Sequence, residues 1–176
     1  MNSEEIAQVA QQVTDHLVNA GAIARPRVKQ KKISWERYLV QEYLWAKYPY
    51  APRWIRKEVG YYKPSDMGKL YARNRRWVDA IVRLPDGILL IEAKMKSDPG
   101  AVSQLAQYVK MFPATPEFKK YSTEKVRGLV LSAMDVPEVK ELAADFGLEY
   151  DVYQPTVFEK WYAANVVAKQ PNPASP

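Results

Sequence analysis

The chain has 176 residues, a usual length for a single domain, and its 47% hydrophobic and 26% charged residues are typical of a globular protein. Cysteine is absent and His16 is the only histidine. Disulfides, cysteine nucleophiles and metal sites with two histidines are therefore excluded. The net charge of +6 favours a polyanionic partner such as nucleic acid, although a basic protein without such a partner has the same balance.

Residues 1–33 are predicted to form a helix followed by a basic linker. Apolar residues recur at helical spacing from Ile6 to Ala20, and Gly21 is typical of a helix end. The apolar face of this helix needs a partner, which is either the rest of the chain or a second copy in a homodimer. The segment 25–32 is either an exposed linker or an arm that follows phosphates.

The sequence has no feature typical of a secreted or membrane protein. The first residues lack the basic start and the apolar run of a signal peptide, and no apolar run is long enough to cross a bilayer. We therefore expect a cytoplasmic protein without membrane contact.

Residues 34–168 are predicted to form one α/β domain, and residues 169–176 a disordered tail. Hydrophobic periodicity, prolines and glycines divide the domain in the order helix, three strands, helix, strand, helix, short strand and helix. This order predicts a central mixed sheet with helices on its faces. The predicted helices are 35–48, 99–112, 136–146 and 157–167, and the predicted strands are 54–62, 77–84, 88–94, 126–134 and 149–153.

Two neighbouring strands of this domain carry charged residues where strands usually carry apolar ones. Asp79 interrupts an otherwise apolar strand, and Glu92 and Lys94 follow the apolar run 88–91. Residues two apart on a strand project from the same face, so Glu92 and Lys94 share a face. Buried charges destabilise a fold unless they are paired or functional, and a simple ion pair between Glu92 and Lys94 is one solution.

The pairing of these two strands decides whether Asp79 joins the other charges. If Leu84 to Gly87 is a four-residue turn, Asp79 lies opposite Glu92, with Cβ atoms about 5 Å apart. Facing carboxylates repel each other unless a cation lies between them, and Mg2+ accepts such oxygen ligands. A bulge at Gly87 would instead move Asp79 to the other face, unless a second irregularity restored it.

These residues resemble the motif of the PD-(D/E)XK nuclease superfamily. Asp79 and the run Glu92-Ala93-Lys94 match the motif. The following helix carries Gln104 and Tyr108, spaced as in the Gln-x-x-x-Tyr element of the RecB-like branch. The predicted element order is also that of the family's restriction-endonuclease-like αβββαβ core. The resemblance covers about residues 34–134, and Val78 stands where the family has a proline.

The resemblance implies a deoxyribonuclease that uses Mg2+, for which Mn2+ can substitute. Asp79, Glu92 and the carbonyl group of Ala93 would hold the metal. Lys94 would orient or deprotonate the attacking water, or offset charge on the phosphoryl group. Gln104 would orient Lys94 or the substrate.

The resemblance also implies a glutamate on the helix before the three strands. Glu36 and Glu42 both meet this description, and the local pattern favours Glu36 as a member of the catalytic site. Tyr108 lies on an apolar helical stripe with Leu105 and is expected to pack in the core.

Basic residues near the predicted site are candidates for binding DNA phosphates. Most members of a wider basic set, which includes Arg53 and Arg56, are expected to face solvent. The favoured residues precede the strand of Asp79 or lie in the basic linker: Arg73, Arg75, Arg76, Lys31 and Lys32.

The sequence leaves three classes of function open. The first is a metal-dependent DNA nuclease, as a resolvase-like dimer, a RecB-like exonuclease, or a phage or mobile-element endonuclease. The second is a non-catalytic nucleic-acid-binding or assembly module that retains the nuclease fold. The presence of Asp79, Glu92 and Lys94 together argues against it. The third is a basic structural domain in which Asp79 and Lys94 form only a salt bridge.

Overall fold

The computed structural model describes residues 34–60 and 76–169. Its strands are β1 (Arg53–Val59), β2 (Arg76–Leu84), β3 (Gly87–Lys94), β4 (Val126–Ser132) and β5 (Glu149–Val152). Its helices are α1 (Trp35–Lys47), α2 (Pro99–Met111), α3 (Pro137–Asp145) and α4 (Phe158–Asn165). Short 3-10 helices occupy Phe112–Ala114, Pro116–Tyr121 and Val167–Lys169.

The five strands lie side by side in the order β1-β2-β3-β4-β5. The first three form an antiparallel meander, and β4 and β5 continue the sheet in parallel with β3. The predicted α/β class is therefore confirmed, with its mixed sheet, flanking helices and αβββαβ order. Most of the predicted element ends differ from the observed ones by one to three residues.

Several predictions concern residues outside the described ranges and stay predictions. They are the N-terminal amphipathic helix with its homodimer contact, the basic linker and the C-terminal tail from residue 170. Among the residues that are described, no helix has the length and apolar character that a membrane span requires.

Two apolar layers hold the helices against the sheet. On one face, Leu105 and Phe112 from α2 and its extension pack with Leu90 and Val130 of the sheet. On the other face, α1 and α4 pack against the alternate residues of the same strands, such as Leu89. Strand β3 is buried from Gly87 to Ala93, and this burial on both faces explains its continuous apolar run.

The ends of the two helices nearest the site differ in how they are capped. Asp98 accepts a hydrogen bond from the backbone N–H of Ala101 at 2.9 Å and so caps α2. Ser34 occupies the corresponding position before α1, but its side chain makes no capping hydrogen bond.

The turn between β2 and β3 fixes the register of the two strands that carry the charges. Leu84 pairs directly with Gly87, and the register continues without a bulge to the pair Ala80–Ile91. Gly87 has a φ of 137°, which L-amino acids with a side chain rarely adopt. A Cβ atom there would lie 2.2 Å from the carbonyl oxygen of Lys125. Glycine is therefore required at this position.

We expect Gly87→Ala to lower the free energy of unfolding by about 3 kcal/mol, because it combines backbone strain with a backbone clash. Gly147 is the matched control, since its φ is 67° but nothing lies within 4 Å of a Cβ atom there. Gly147→Ala should therefore lower the free energy by only about 1 kcal/mol. Urea denaturation measures both values, and equal losses in the two variants would contradict this account of Gly87.

Candidate active site

Strands β2 and β3 separate at Asp79. Their backbone ladder ends at Ala80–Ile91, and the register continued by one residue places Asp79 opposite Glu92, as the sequence predicted. Beyond this point the N–H of Ala93 donates to the Asp79 carboxylate oxygen Oδ2 at 2.9 Å. In a continued ladder that N–H would bond to the backbone of β2 instead. The Asp79 carboxylate therefore lies between the two strands.

A matching irregularity occurs in the neighbouring strand β1. The ladder between β1 and β2 contains the pairs Ile55–Ala80 and Lys57–Val78 but omits Arg56 and Asp79 between them. Arg56 has a φ of 48°, a left-handed conformation that strains a residue with a side chain by about 1–3 kcal/mol. Strands β1 and β2 are thus both irregular at the same point, at Arg56 and Asp79.

The paired irregularity changes which residues face the α2 side of the sheet. Val78 and Ile81 both pack in the core on that side, although residues three apart on a regular strand point to opposite faces. Trp54 and Val59, five apart on β1, show the same change. The sequence prediction assumed that side chains alternate between the two faces of the sheet along each strand. This alternation is interrupted at Asp79 itself, whereas Gly87 forms no bulge.

Glu92 and Lys94 form an ion pair at the end of β3. Lys94 Nζ donates to Glu92 Oε1 at 2.9 Å, and the side chains are 32% and 3% exposed, respectively. The second oxygen of Glu92, Oε2, is buried and has no hydrogen-bond partner in the described part of the chain. The simple ion pair considered from the sequence is thus present, but it satisfies only half of the buried carboxylate.

A cavity of about 220 Å3 lies beside these charges. Asp79, Ala93 and Lys94 line one side of it, and Glu36 lines it from α1. Glu42 lies elsewhere: its carboxylate accepts hydrogen bonds from the backbone N–H of Thr156 at 2.8 Å and the Thr156 hydroxyl at 2.6 Å. Of the two glutamates considered, Glu36 is the one that the structure brings to Asp79.

The carboxylates of this cluster have raised pKa values. Burial and the charge of Asp79 raise the pKa of Glu92 to about 7, against the opposing effect of Lys94. Burial also raises the pKa of Asp79, although the hydrogen bond from Ala93 and the charge of Lys94 oppose it. Burial lowers the pKa of Lys94, but the ion pair with Glu92 and the nearby carboxylates outweigh it, so that this pKa is raised.

The side chain of Gln104 forms its hydrogen bond with Tyr108. Its side-chain N–H donates to the Tyr108 hydroxyl group, and no hydrogen bond to Lys94 occurs among the described residues. Tyr108 is fully buried in the core, as predicted. Burial raises the pKa of Tyr108 against the opposing hydrogen bond from Gln104, and the charges of Glu92 and Asp79 add to the rise.

The basic residues fall into three groups. Four of the basic residues favoured from the sequence lie outside the described residues: Arg73, Arg75, Lys31 and Lys32. Arg76 is described and begins β2, and its charge opposes the rise in the pKa of Tyr108. Arg53 has a structural role, because Nη1 donates to the carbonyl groups of Leu44 and Tyr48 at the end of α1.

Two further arginines line the cavity: Arg37, which the sequence did not single out, and Arg56, which belongs to the wider basic set. Arg37 directly follows Glu36 in the sequence, so its position next to the favoured glutamate was the signal that could have identified it. Arg56 lies in the middle of a predicted strand, and no local pattern indicates its left-handed backbone.

The donor set of the cluster fits a hard divalent cation. The buried Glu92 Oε2 lacks a hydrogen-bond partner among the described residues, and burial raises the pKa of both carboxyl groups, so a cation between them would favour their ionised forms. No group of three or more His, Cys, Asp or Glu side chains suited to a metal occurs in the described part of the chain. Two carboxylates with waters completing the shell are, however, a usual arrangement for Mg2+.

No protein-family model and no curated protein matches the chain. Among solved structures it is similar to a repair endonuclease from Pyrococcus abyssi, with 22% identity and a TM-score of 0.42 over 71% of this chain and 50% of that one. An EndoMS–dsDNA complex is similar with 20% identity and a TM-score of 0.43 over 74% and 49%. VC1899 from Vibrio cholerae is similar with 12% identity and a TM-score of 0.42 over 73% and 30%.

The chain thus spans about half the length of the first two of these structures.

The raised pKa of Glu92 predicts how stability changes with pH when no divalent cation is present. A carboxyl group whose pKa rises from 4.5 to about 7 on folding leaves stability unchanged below about pH 4.5. It lowers stability progressively from there to pH 7, by about 3 kcal/mol in all. Asp79 acts in the same direction.

In EDTA, Glu92→Gln should therefore be more stable than the wild type at pH 8, by up to about 3 kcal/mol, and should lose this advantage at pH 4.5. Glu141 is exposed, and Glu141→Gln is the matched control for the removal of a carboxylate from the surface. Urea denaturation across the pH range gives the values. A difference between Glu92→Gln and the wild type that is constant with pH would contradict the assignment.

Proposed function

We propose that the chain is a metal-dependent DNA nuclease that hydrolyses phosphodiester bonds at the cavity lined by Asp79, Ala93 and Lys94. The observation that carries this proposal is the half-satisfied Glu92 carboxylate, which is paired with Lys94 beside a cavity that Lys94 and Asp79 both line. A structural ion pair alone needs neither the second carboxylate nor a cavity beside it.

Asp79 and Glu92 would hold Mg2+, or Mn2+ in its place, together with the carbonyl oxygen of Ala93. When bound, the metal would polarise the phosphate and acidify a water molecule. The Ala93 N–H fixes the direction of the Asp79 carboxylate, because it holds Oδ2 at 2.9 Å. Oδ1 is then the oxygen of Asp79 that remains for a cation.

Lys94 contributes a hydrogen-bond donor at the cavity. Its Nζ lies 2.9 Å from Glu92 Oε1 and the side chain is about one-third exposed, so it has further N–H groups for a water or a phosphoryl oxygen. We propose that Lys94 orients the attacking water and offsets negative charge on the phosphoryl group. Glu36, across the cavity, would accept a hydrogen bond from the same water.

The charge around the cavity favours a polyanionic substrate. Arg37 and Arg56 line it, and the chain as a whole carries a net charge of +6. Cationic side chains beside a carboxylate pair bring a phosphate to a place that the carboxylates alone would repel. DNA, the substrate class that the sequence resemblance implies, satisfies this requirement.

Incubation with plasmid, single-stranded and branched DNA in Mg2+, Mn2+ or EDTA tests the proposal. We expect cleavage with either metal and none in EDTA. Asp79→Asn should reduce cleavage to background, and Lys94→Ala should reduce it by about 100-fold to 1000-fold, because each removes charge or donors at the reacting phosphate.

Cleavage at the wild-type rate in either variant would overturn the proposed site. Tight DNA binding without cleavage under every metal condition would instead favour the non-catalytic nucleic-acid-binding module. Circular dichroism of each variant shows whether it folds, so that a loss of activity is not mistaken for a loss of structure.

The two glutamates of α1 form a matched pair for a second test. We expect Glu36→Gln to lower the cleavage rate by at least about tenfold, because Glu36 lines the cavity. Glu42→Gln should leave cleavage nearly unchanged, because Glu42 binds Thr156. The reverse order of the two rates, measured under single-turnover conditions, would remove Glu36 from the site.

A further inference from the structure

A second cavity, of about 360 Å3, lies next to the first and shares Arg56 with it. Its lining differs from that of the first cavity because it is rich in aromatic side chains. The described residues that line it are Trp54, Arg56, Lys57, Glu58, Trp77, Glu117 and Phe118.

Trp77 is the exposed aromatic surface of this cavity. Its side chain is 53% exposed although it lies on β2, two residues before Asp79. The Arg56 guanidinium carbon lies 5.9 Å from the centre of the Trp77 ring, within the range of a cation–π contact. An exposed indole beside a cation is a surface on which a planar π system stacks well.

The base of the cavity is held in place by aromatic packing. Trp54 makes an edge-to-face contact with Phe118, with ring centroids 5.4 Å apart, and its ring also lies 5.9 Å from that of Tyr121. Trp54 and Phe118 belong to the core layer below α2. Such a preformed aromatic floor loses little conformational entropy when a ligand binds.

The charges that line the second cavity favour a nucleobase over a phosphate as its ligand. Arg56 and Lys57 are balanced by Glu58 and Glu117, so the lining has no net charge and does not favour an anion. Carboxylates accept hydrogen bonds from the exocyclic amino groups of adenine, cytosine and guanine. The lining therefore suits a neutral, planar group with polar edges.

We propose that this second cavity is a nucleobase subsite, in which an unpaired base stacks on Trp77 while its phosphate contacts Arg56 at the border of the two cavities. The inference deepens the proposed nuclease function and rests on it, because it assigns the substrate an unpaired nucleotide next to the scissile phosphate. A base inside a regular duplex cannot stack in this way, because its faces are covered by its neighbours.

Two duplexes of the same sequence test the subsite. One carries a central 2-aminopurine opposite thymine, and the other carries the same base unpaired, as a single-nucleotide bulge. Binding is measured in EDTA, where no cleavage is expected, by fluorescence anisotropy and by quenching of the 2-aminopurine. We expect the wild type to bind the bulged duplex more tightly and to quench its fluorescence.

Trp77→Ala should weaken binding of the bulged duplex by about tenfold, abolish the quenching and leave binding of the paired duplex nearly unchanged. Trp77→Phe should retain binding within about threefold, because a smaller ring still stacks. Trp45 is the matched control: it is 65% exposed and carries Arg53 at 4.4 Å from its ring, but it lies on α1 outside both cavities. Trp45→Ala should change nothing.

Equal weakening on both duplexes, or no preference of the wild type for the bulge, would overturn the nucleobase subsite. Cleavage of plasmid in Mg2+ is measured in parallel and reports on the proposed nuclease function separately. If the wild type cleaves without a preference for unpaired bases, the nucleobase subsite is wrong and the nuclease function stands. If it prefers the bulge without cleaving, the subsite stands and the nuclease function is wrong.

Discussion

The hydrogen bond between the Ala93 N–H and the Asp79 carboxylate is the contact on which the site depends. It stands where a backbone bond between β2 and β3 would otherwise form, so the two strands separate there without an unsatisfied N–H in the interior. The carboxylate is thereby held between the strands, close to Glu92 and open to the cavity. A side chain without an acceptor at position 79 would leave the Ala93 N–H unpaired as well as remove the charge.

The same arrangement makes the site unfavourable for the stability of the fold. Two carboxylates on adjacent strands repel each other, one of them is 3% exposed, and Lys94 pairs with only one oxygen of Glu92. The two apolar layers of the sheet, and the glycine turn that fixes its register, must offset this repulsion. Concentrated charge that weakens the fold is typical of sites arranged for chemistry or for a cation.

The sequence predicted the register because register depends on local features: a two-residue turn before Gly87 and the period of two along each strand. The family resemblance favoured Glu36 but left Glu42 open, because the contact that holds Glu42 elsewhere is with Thr156, 114 residues away. The contact of Gln104 with Tyr108 follows from helical spacing, yet the sequence did not show that Gln104 faces Tyr108 instead of Lys94. The left-handed Arg56 was not predictable, since arginine has no preference for that conformation.

Arg56 links the two cavities, and its backbone conformation bears on its role. A glycine would adopt a φ of 48° without strain, whereas arginine there strains the strand by about 1–3 kcal/mol. The Arg56 side chain lines both cavities: its charge favours the ionised form of Asp79, and its guanidinium group lies over the ring of Trp77. A glycine would keep the separation of β1 and β2 at this point but would leave both cavities without the cation they share. The backbone strain at Arg56 and the cation that the two cavities share thus have one origin. Arg56 and Asp79 are omitted from the ladder between β1 and β2, and both side chains therefore take part in the site.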